Sequence, residues 1–145
     1  MSDLLHYKKS ICFSIKSKTS AILELISFLK KEMELDYFVE LPIREALKNA
    51  VEHGNQGDVE KEVQVKVTWR FIEERETACF SLYIKDMGEG FEYTQVQDPT
   101  LAETRLQERG RGLHFMKQFA TKVEFLEKGN HVRLCFPCPK EKLLA

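Results

Sequence analysis

Residues 44 to 55 read REALKNAVEHGN, and the order within that stretch decides how the rest of the chain is read. Apolar Ile43, Ala46, Leu47, Ala50 and Val51 recur at helical spacing. A helix from about Leu41 to His53 is therefore predicted, with one face turned to a core. Pro42 fits its first turn, and Gly54 and Gly57 end it. At about 100° per residue, Glu45, Lys48, Asn49, Glu52 and His53 fill the opposite arc. Glu45, Asn49 and His53 fall four residues apart on one stripe, an order that a solvated surface does not need. Asparagine is a mediocre residue inside a helix, because its side chain competes for backbone hydrogen bonds. Its carboxamide oxygen is, however, a neutral hard ligand for Mg2+. A carboxylate one turn earlier can accept a proton from a hydroxyl or water near such an ion.

Outward from this helix the periodicities change. SICFSIKS (10–17) alternates in the manner of a half-buried strand, and TSAILELISFLKKEMEL (19–35) has helical spacing, with Thr19 or Ser20 placed to cap it. EVQVKVTWRFI (62–72) and ACFSLYIKD (78–86) alternate again, joined by the polar turn ERET. From Met87 to Arg109 the chain is irregular and polar, about 23 residues, longer than a passive connection, so a functional loop or lid is expected there. A short helix (112–122), strand VEFL (123–126), a turn at Gly129-Asn130 and strand HVRLCF (131–136) complete the chain. Strands joined by short turns imply an antiparallel or mixed sheet. Amphipathic helices imply cover on one face only. The predicted fold is a two-layer α+β sandwich with a mixed, mostly antiparallel sheet, a single domain over 1–145 whose core spans about 10–137.

Glycine is rationed: there are seven, none before position 54. Four of them form two G-x-G pairs, in DMGEGF (86–91) and RGRGL (109–113). Glycine serves where backbone takes positive φ or approaches a ligand closely. A G-x-G that opens a helix presents free N–H groups at the positive end of the dipole, which suits phosphate. The spacing fits neither a Walker A loop nor a Rossmann fingerprint.

Bulk properties exclude several classes. With 22 basic and 23 acidic residues the net charge is −1, which offers no general attraction to nucleic acid or anionic membrane. No apolar run approaches the roughly 20 residues needed to cross a bilayer. The N-terminal sequence lacks the apolar core of a secretory signal, so a cytoplasmic location is expected. Of the four cysteines, Cys12, Cys79, Cys135 and Cys138, the last two form a C-x-x-C with no second pair to complete a zinc site; they are read as reduced thiols, with Cys135 packed in a strand.

Three separated motifs in the chain belong together. EALKNAVEHGN resembles the N box of the GHKL superfamily of ATPases and kinases, which shares the Bergerat fold. DMGEGF resembles its first glycine box and RGRGLHFMKQF its second, in the right order and spacing, from about Leu41 to the end of the chain. The wording of the motifs and the chain length are similar to one branch, the stand-alone anti-sigma-factor serine/threonine-protein kinases of bacterial partner-switching systems.

That resemblance implies roles at matching positions. Asp86 would hydrogen-bond the adenine amino group, and Gly88 and Gly90 would keep the backbone clear of base and ribose. Asn49 would bind the Mg2+ that bridges the phosphates of ATP. Glu45 would be the general base toward a serine or threonine hydroxyl. Gly110 and Gly112, with the amides of Arg111 and Leu113, would hold the phosphates, and residues from about Val96 to Arg109 would form a lid. Arg109 or Arg111 could place positive charge near the γ-phosphate, and His53 packs or hydrogen-bonds. The implied partners are a sigma factor and a small anti-sigma-factor antagonist, with a homodimer, the N-terminal strand and helix contributing to the dimer or partner surface, and no direct contact with nucleic acid or membrane. Two other functions use the same motifs: a regulatory module that binds ATP without transferring phosphate, and a histidine-kinase catalytic domain whose phospho-acceptor helices come from a partner.

Overall fold

The computed structural model describes residues 6–33, 35, 37–72, 77–90 and 122–137. Five strands, β1 (His6–Lys16), β2 (Glu62–Ile72), β3 (Thr77–Lys85), β4 (Lys122–Leu126) and β5 (His131–Pro137), form one sheet in the order β1-β2-β3-β5-β4. All four pairings are antiparallel. The sheet is thus wholly antiparallel among the described residues, where a mixed one was also open from the sequence.

The register shows why these segments are strands. One rung across all five strands runs Ile11–Val67–Leu82–Leu134–Val123, and the next but one runs Phe13–Val65–Ile84–Val132–Phe125. The rung between them runs Cys12–Lys66–Tyr83–Arg133–Glu124. Period-two alternation therefore sorts a whole sheet into an apolar face and a polar one. On the polar face Lys66 and Arg133 stand over the Tyr83 ring, at 5.9 and 5.7 Å from its centre.

Two helices, α1 (Thr19–Met33) and α2 (Tyr37–Lys48), pack on the apolar face through Ile22, Leu25, Ile26 and Leu29 and through Ile43, Ala46 and Leu47. The fold is the α+β sandwich that the sequence implied. The first-turn amides of Ala21 and Ile22 bond the Lys18 carbonyl, so the cap position lies one residue before Thr19. Lys30 and Lys31 complement the dipole in the last turn. Buried Glu40 accepts Arg44 and pairs with Lys30 at 3.2 Å, tying α2 to α1.

In two respects α2 departs from expectation. It begins at Tyr37, so Pro42 lies inside the helix rather than in its first turn. A proline there removes one backbone hydrogen bond, and burial of its ring against the core is the compensation. The second departure is at the other end. From Asn49 to Gly54 the helix widens into a π-helical segment. Its closing bond runs from Asn55 N–H to the Ala50 carbonyl at 2.8 Å. Ala50 and Val51 stay buried through the change, so the wider turn keeps the apolar side on the sheet while resetting the polar side. Such segments are rare and recur at functional sites.

Candidate functional site

A cleft of about 310 Å³ opens between the helix and one end of the sheet. Ala46, Asn49 and Ala50 form one side, Ile84 and Asp86 come from the end of β3, and the β4–β5 hairpin closes the third side with Phe125 and residues 129–132. Asn49 and Asp86, which lie 37 positions apart in the sequence, thus line the same space.

The Asp86 end is tightly knotted. Asp86 is 6% exposed, its Oδ1 accepts the Gly88 amide at 2.7 Å, and its own amide donates to the Asn130 carbonyl at 2.9 Å. A Cβ on Gly54 would lie 2.2 Å from the Asp86 carboxylate, and one on Gly88 would lie 2.2 Å from the Gly54 carbonyl oxygen. Gly54 therefore does more than end a helix: it makes room for the side chain of Asp86. Gly90 has φ +85°, and a Cβ there would lie 1.9 Å from the Lys128 carbonyl oxygen. Both glycines of the first pair are thus demanded by chain-on-chain packing, whatever ligand lies beyond.

Two asparagines that sequence reading passed over hold this end together. Asn55 is fully buried; its Nδ2 donates to Ser17 Oγ at 2.9 Å and to the Glu62 carbonyl at 3.1 Å, and its Oδ1 accepts the Met87 amide at 2.7 Å. One carboxamide joins the end of β1, the start of β2 and the residue after Asp86. Ser17 passes the chain on to the Lys61 carbonyl at 2.6 Å. Asn130 donates from Nδ2 to the Asp86 carbonyl at 3.2 Å. Its Oδ1 is buried and has no partner among the described residues, a state that costs about 1–3 kcal/mol in a folded protein. The only sequence signal for either residue was an asparagine beside glycine, which reads as turn chemistry.

On the helix the arrangement is looser. Glu45 and Asn49 are half buried, one turn apart, and neither side chain makes a hydrogen bond among the described residues. Asn49 is the first residue of the π-helical segment and faces the cleft; Glu45 stands outside the cleft walls. His53 is half buried. At the rim, Glu127 pairs with Lys85 at 3.1 Å and with His131 Nδ1 at 3.0 Å. The Lys85 hydrogen bond, opposed by some desolvation and aided by His131, holds the Glu127 carboxyl below its ordinary range.

Gly110, Arg111, Gly112 and Leu113, the segment 96–109 expected as a lid and residues 112–121 of the expected short helix lie outside the described residues, as do Cys138 and residues 73–76, and Lys122 belongs to β4. Cys135 is buried beside the Ser81 hydroxyl at 3.4 Å, and Cys12 is exposed; both are free thiols. Among the described residues no three His, Cys, Asp or Glu side chains gather as a metal cluster, and no helix is long and apolar enough to cross a membrane.

Compared with known proteins, residues 21–136 match the family model described as the histidine kinase-like ATPase domain. No curated protein matches the chain.

Proposed function

The chain belongs to the histidine kinase-like ATPase domain family, and from that premise we propose that it is an ATP-dependent serine/threonine-protein kinase acting as an anti-sigma factor. Membership carries the coarser statement: an ATP-binding domain of kinase or ATPase type, with a catalytic or regulatory role. The finer reading rests on the motif wording EALKNAVEHGN and RGRGLHF, and on one geometric observation. Asn49 and Asp86, the two residues to which the resemblance gives the metal and the base, line one cleft.

The donor set suits the proposed ligand. A buried carboxylate beside an apolar floor of Ala46, Ala50 and Ile84 fits a flat base carrying an N–H donor. A lone carboxamide suits a Mg2+ that arrives on phosphates, since such an ion keeps several waters and needs one or two protein ligands rather than a cage. ATP with its Mg2+ supplies the γ-phosphoryl group and neutralises the charge that develops on it. In this reading Asp86 accepts the adenine amino group, with Gly88 and Gly90 letting the backbone fold close around it. Asn49 holds the metal, and Gly110, Arg111, Gly112 and Leu113 cradle the phosphates. Glu45 takes the proton from an incoming serine or threonine hydroxyl of a small antagonist protein. When not engaged with the antagonist the protein sequesters a sigma factor, as a homodimer.

Glu45 stands outside the walls of the cleft, and that observation favours a second reading in which ATP sets the conformation of a regulator without phosphate transfer. Incubation with labelled ATP and the cognate antagonist separates the two. Transfer that disappears in Glu45→Ala, while Mg·ATP binding survives, supports the kinase; absence of transfer from the wild-type protein supports the regulator.

A further inference from the structure

Helix α2 opens with two aromatic side chains that the core does not take. Tyr37 is 63% and Phe38 60% exposed, and their rings meet edge to face with centres 5.9 Å apart. The next two residues hold the turn that carries them. Val39 packs against the core, and buried Glu40 is tied to Lys30 at 3.2 Å and to Arg44. Single exposed apolar residues are ordinary on a protein surface; an adjacent aromatic pair on an anchored turn is a platform. Aromatic side chains of this kind are the anchors that protein interfaces favour.

The position of the pair on the helix gives it a use. Phe38 and Glu45 are seven residues apart, so they lie within about 20° of one face and about 10 Å apart along the axis. Asn49, one turn beyond Glu45, lines the cleft, whereas Glu45 stands outside its walls. One side of the helix therefore leads from the cleft through Asn49 and Glu45 to Phe38. A hydroxyl that gives its proton to Glu45 must come within hydrogen-bond reach of it. An interface of standard size covers roughly 800 Å² on each partner, a disc about 16 Å in radius. The cleft occupies one flank of Glu45, so a protein that delivers such a hydroxyl spreads over the other, the first turns of α2.

We propose that Tyr37 and Phe38 are the docking platform for the protein substrate, a folded protein whose serine or threonine hydroxyl lies about 10 Å from an apolar pocket. This rests on the reading of the chain as a kinase with Glu45 as its base. The pocket receives the aromatic pair. The hydroxyl, so placed, gives its proton to Glu45 while its oxygen takes the γ-phosphoryl group and ADP leaves. Both aromatics stand outside the cleft walls, and they are positioning residues: they hold the acceptor and leave the nucleotide alone.

The probe is the protein that wild type labels from radioactive ATP in an extract of its own cells, purified and returned as acceptor. In Phe38→Ala and Tyr37→Ala, KM for that acceptor rises about tenfold, as for an interface anchor. The kcat stays within about twofold and the Mg·ATP dissociation constant is unchanged, the pattern of lost acceptor binding alone. A wild-type KM in both variants overturns the proposal. So does a KM rise accompanied by an equal loss of ATP affinity, because the pair would then be shaping the cleft. Should Phe38→Ala lose its fold by circular dichroism, Tyr37→Ala decides by the same measurements. An unchanged KM with a dimer that sediments as a monomer in the variants assigns the pair to a second copy of the chain, and overturns the proposal. Wild type that labels no protein in the extract overturns the kinase reading, and this proposal with it. Transfer that Glu45→Ala abolishes and both aromatic variants perform at the wild-type KM overturns this proposal alone.

Discussion

The two sides of the cleft are held in opposite ways. At the Asp86 end a set of hydrogen bonds ties separate parts of the chain together: Asp86 to Gly88 and Asn130, Met87 to Asn55, Asn55 to Ser17 and Glu62. Gly54 and Gly88 leave no room there for a methyl group. Along α2 and the start of the π-helical segment, Glu45 and Asn49 stand half buried with side chains that make no hydrogen bond among the described residues. The contrast separates two kinds of site residue. Where a group is part of the packing, substitution moves stability and ligand binding together; where it is not, function changes alone.

The strongest test of that separation is Gly88→Ala. Its methyl group would sit 2.2 Å from a backbone oxygen, that of Gly54, which cannot rotate out of the way. A loss of about 3 kcal/mol is expected, at the upper end of overpacking costs, read as a fall in Tm of roughly 10 °C together with loss of Mg·ATP binding. A variant with wild-type Tm would show that the knot is soft. Gly54→Ala is the informative neighbour, because there the clash is with the Asp86 carboxylate, and a side chain can swing. It should lose less stability, about 1–2 kcal/mol, yet lose nucleotide binding as fully. Asn55→Ala removes three hydrogen bonds from a fully buried position and strands the Met87 amide. About 2 kcal/mol by denaturant melting is expected, with weaker ATP binding as the β3 end loosens.

How far the sequence could see follows the same division. Strand and helix were legible because Val63, Val65 and Val67 alternate and Ile22, Leu25, Ile26 and Leu29 recur, signals carried by neighbours along the chain. The cleft was legible through Asn49 and Asp86, each set in a motif. The knot was not. Gly54 looks like a helix stop, and only the approach of β3 shows that it clears space for Asp86. Asn55 and Asn130 look like turn residues, because their partners lie 38 and 44 positions away in sequence. The π-helical segment escaped a reading that steps every residue by 100°, since widening is imposed by what the last turn must reach, here the Asn55 amide closing on Ala50. Pro42 was placed in a first turn because local rules favour it there, and tertiary burial overrode them.

On the looser side, Asn49→Ala should leave stability within about 0.5 kcal/mol, as for surface changes that break no network. Dialysis should find the Mg2+-dependent part of ATP binding gone and the Mg2+-free affinity unchanged. A matching fall in Tm would place Asn49 among the packing residues and erase the contrast.

The smallest effect belongs to the rim. Lys85 and His131 hold the Glu127 carboxyl below its ordinary value of 4.5. A carboxylate depressed in the folded state adds stability that is present above the unfolded value and disappears as pH falls through the folded one. The slight advantage of wild type over Glu127→Gln should therefore be present above the ordinary carboxyl range and vanish only at pH values below the lowered folded value. Glu127 is solvent-exposed, so the advantage should shrink further in high salt, as it does for exposed ion pairs. An advantage that grew as pH fell would mean that the carboxylate opposes the hairpin.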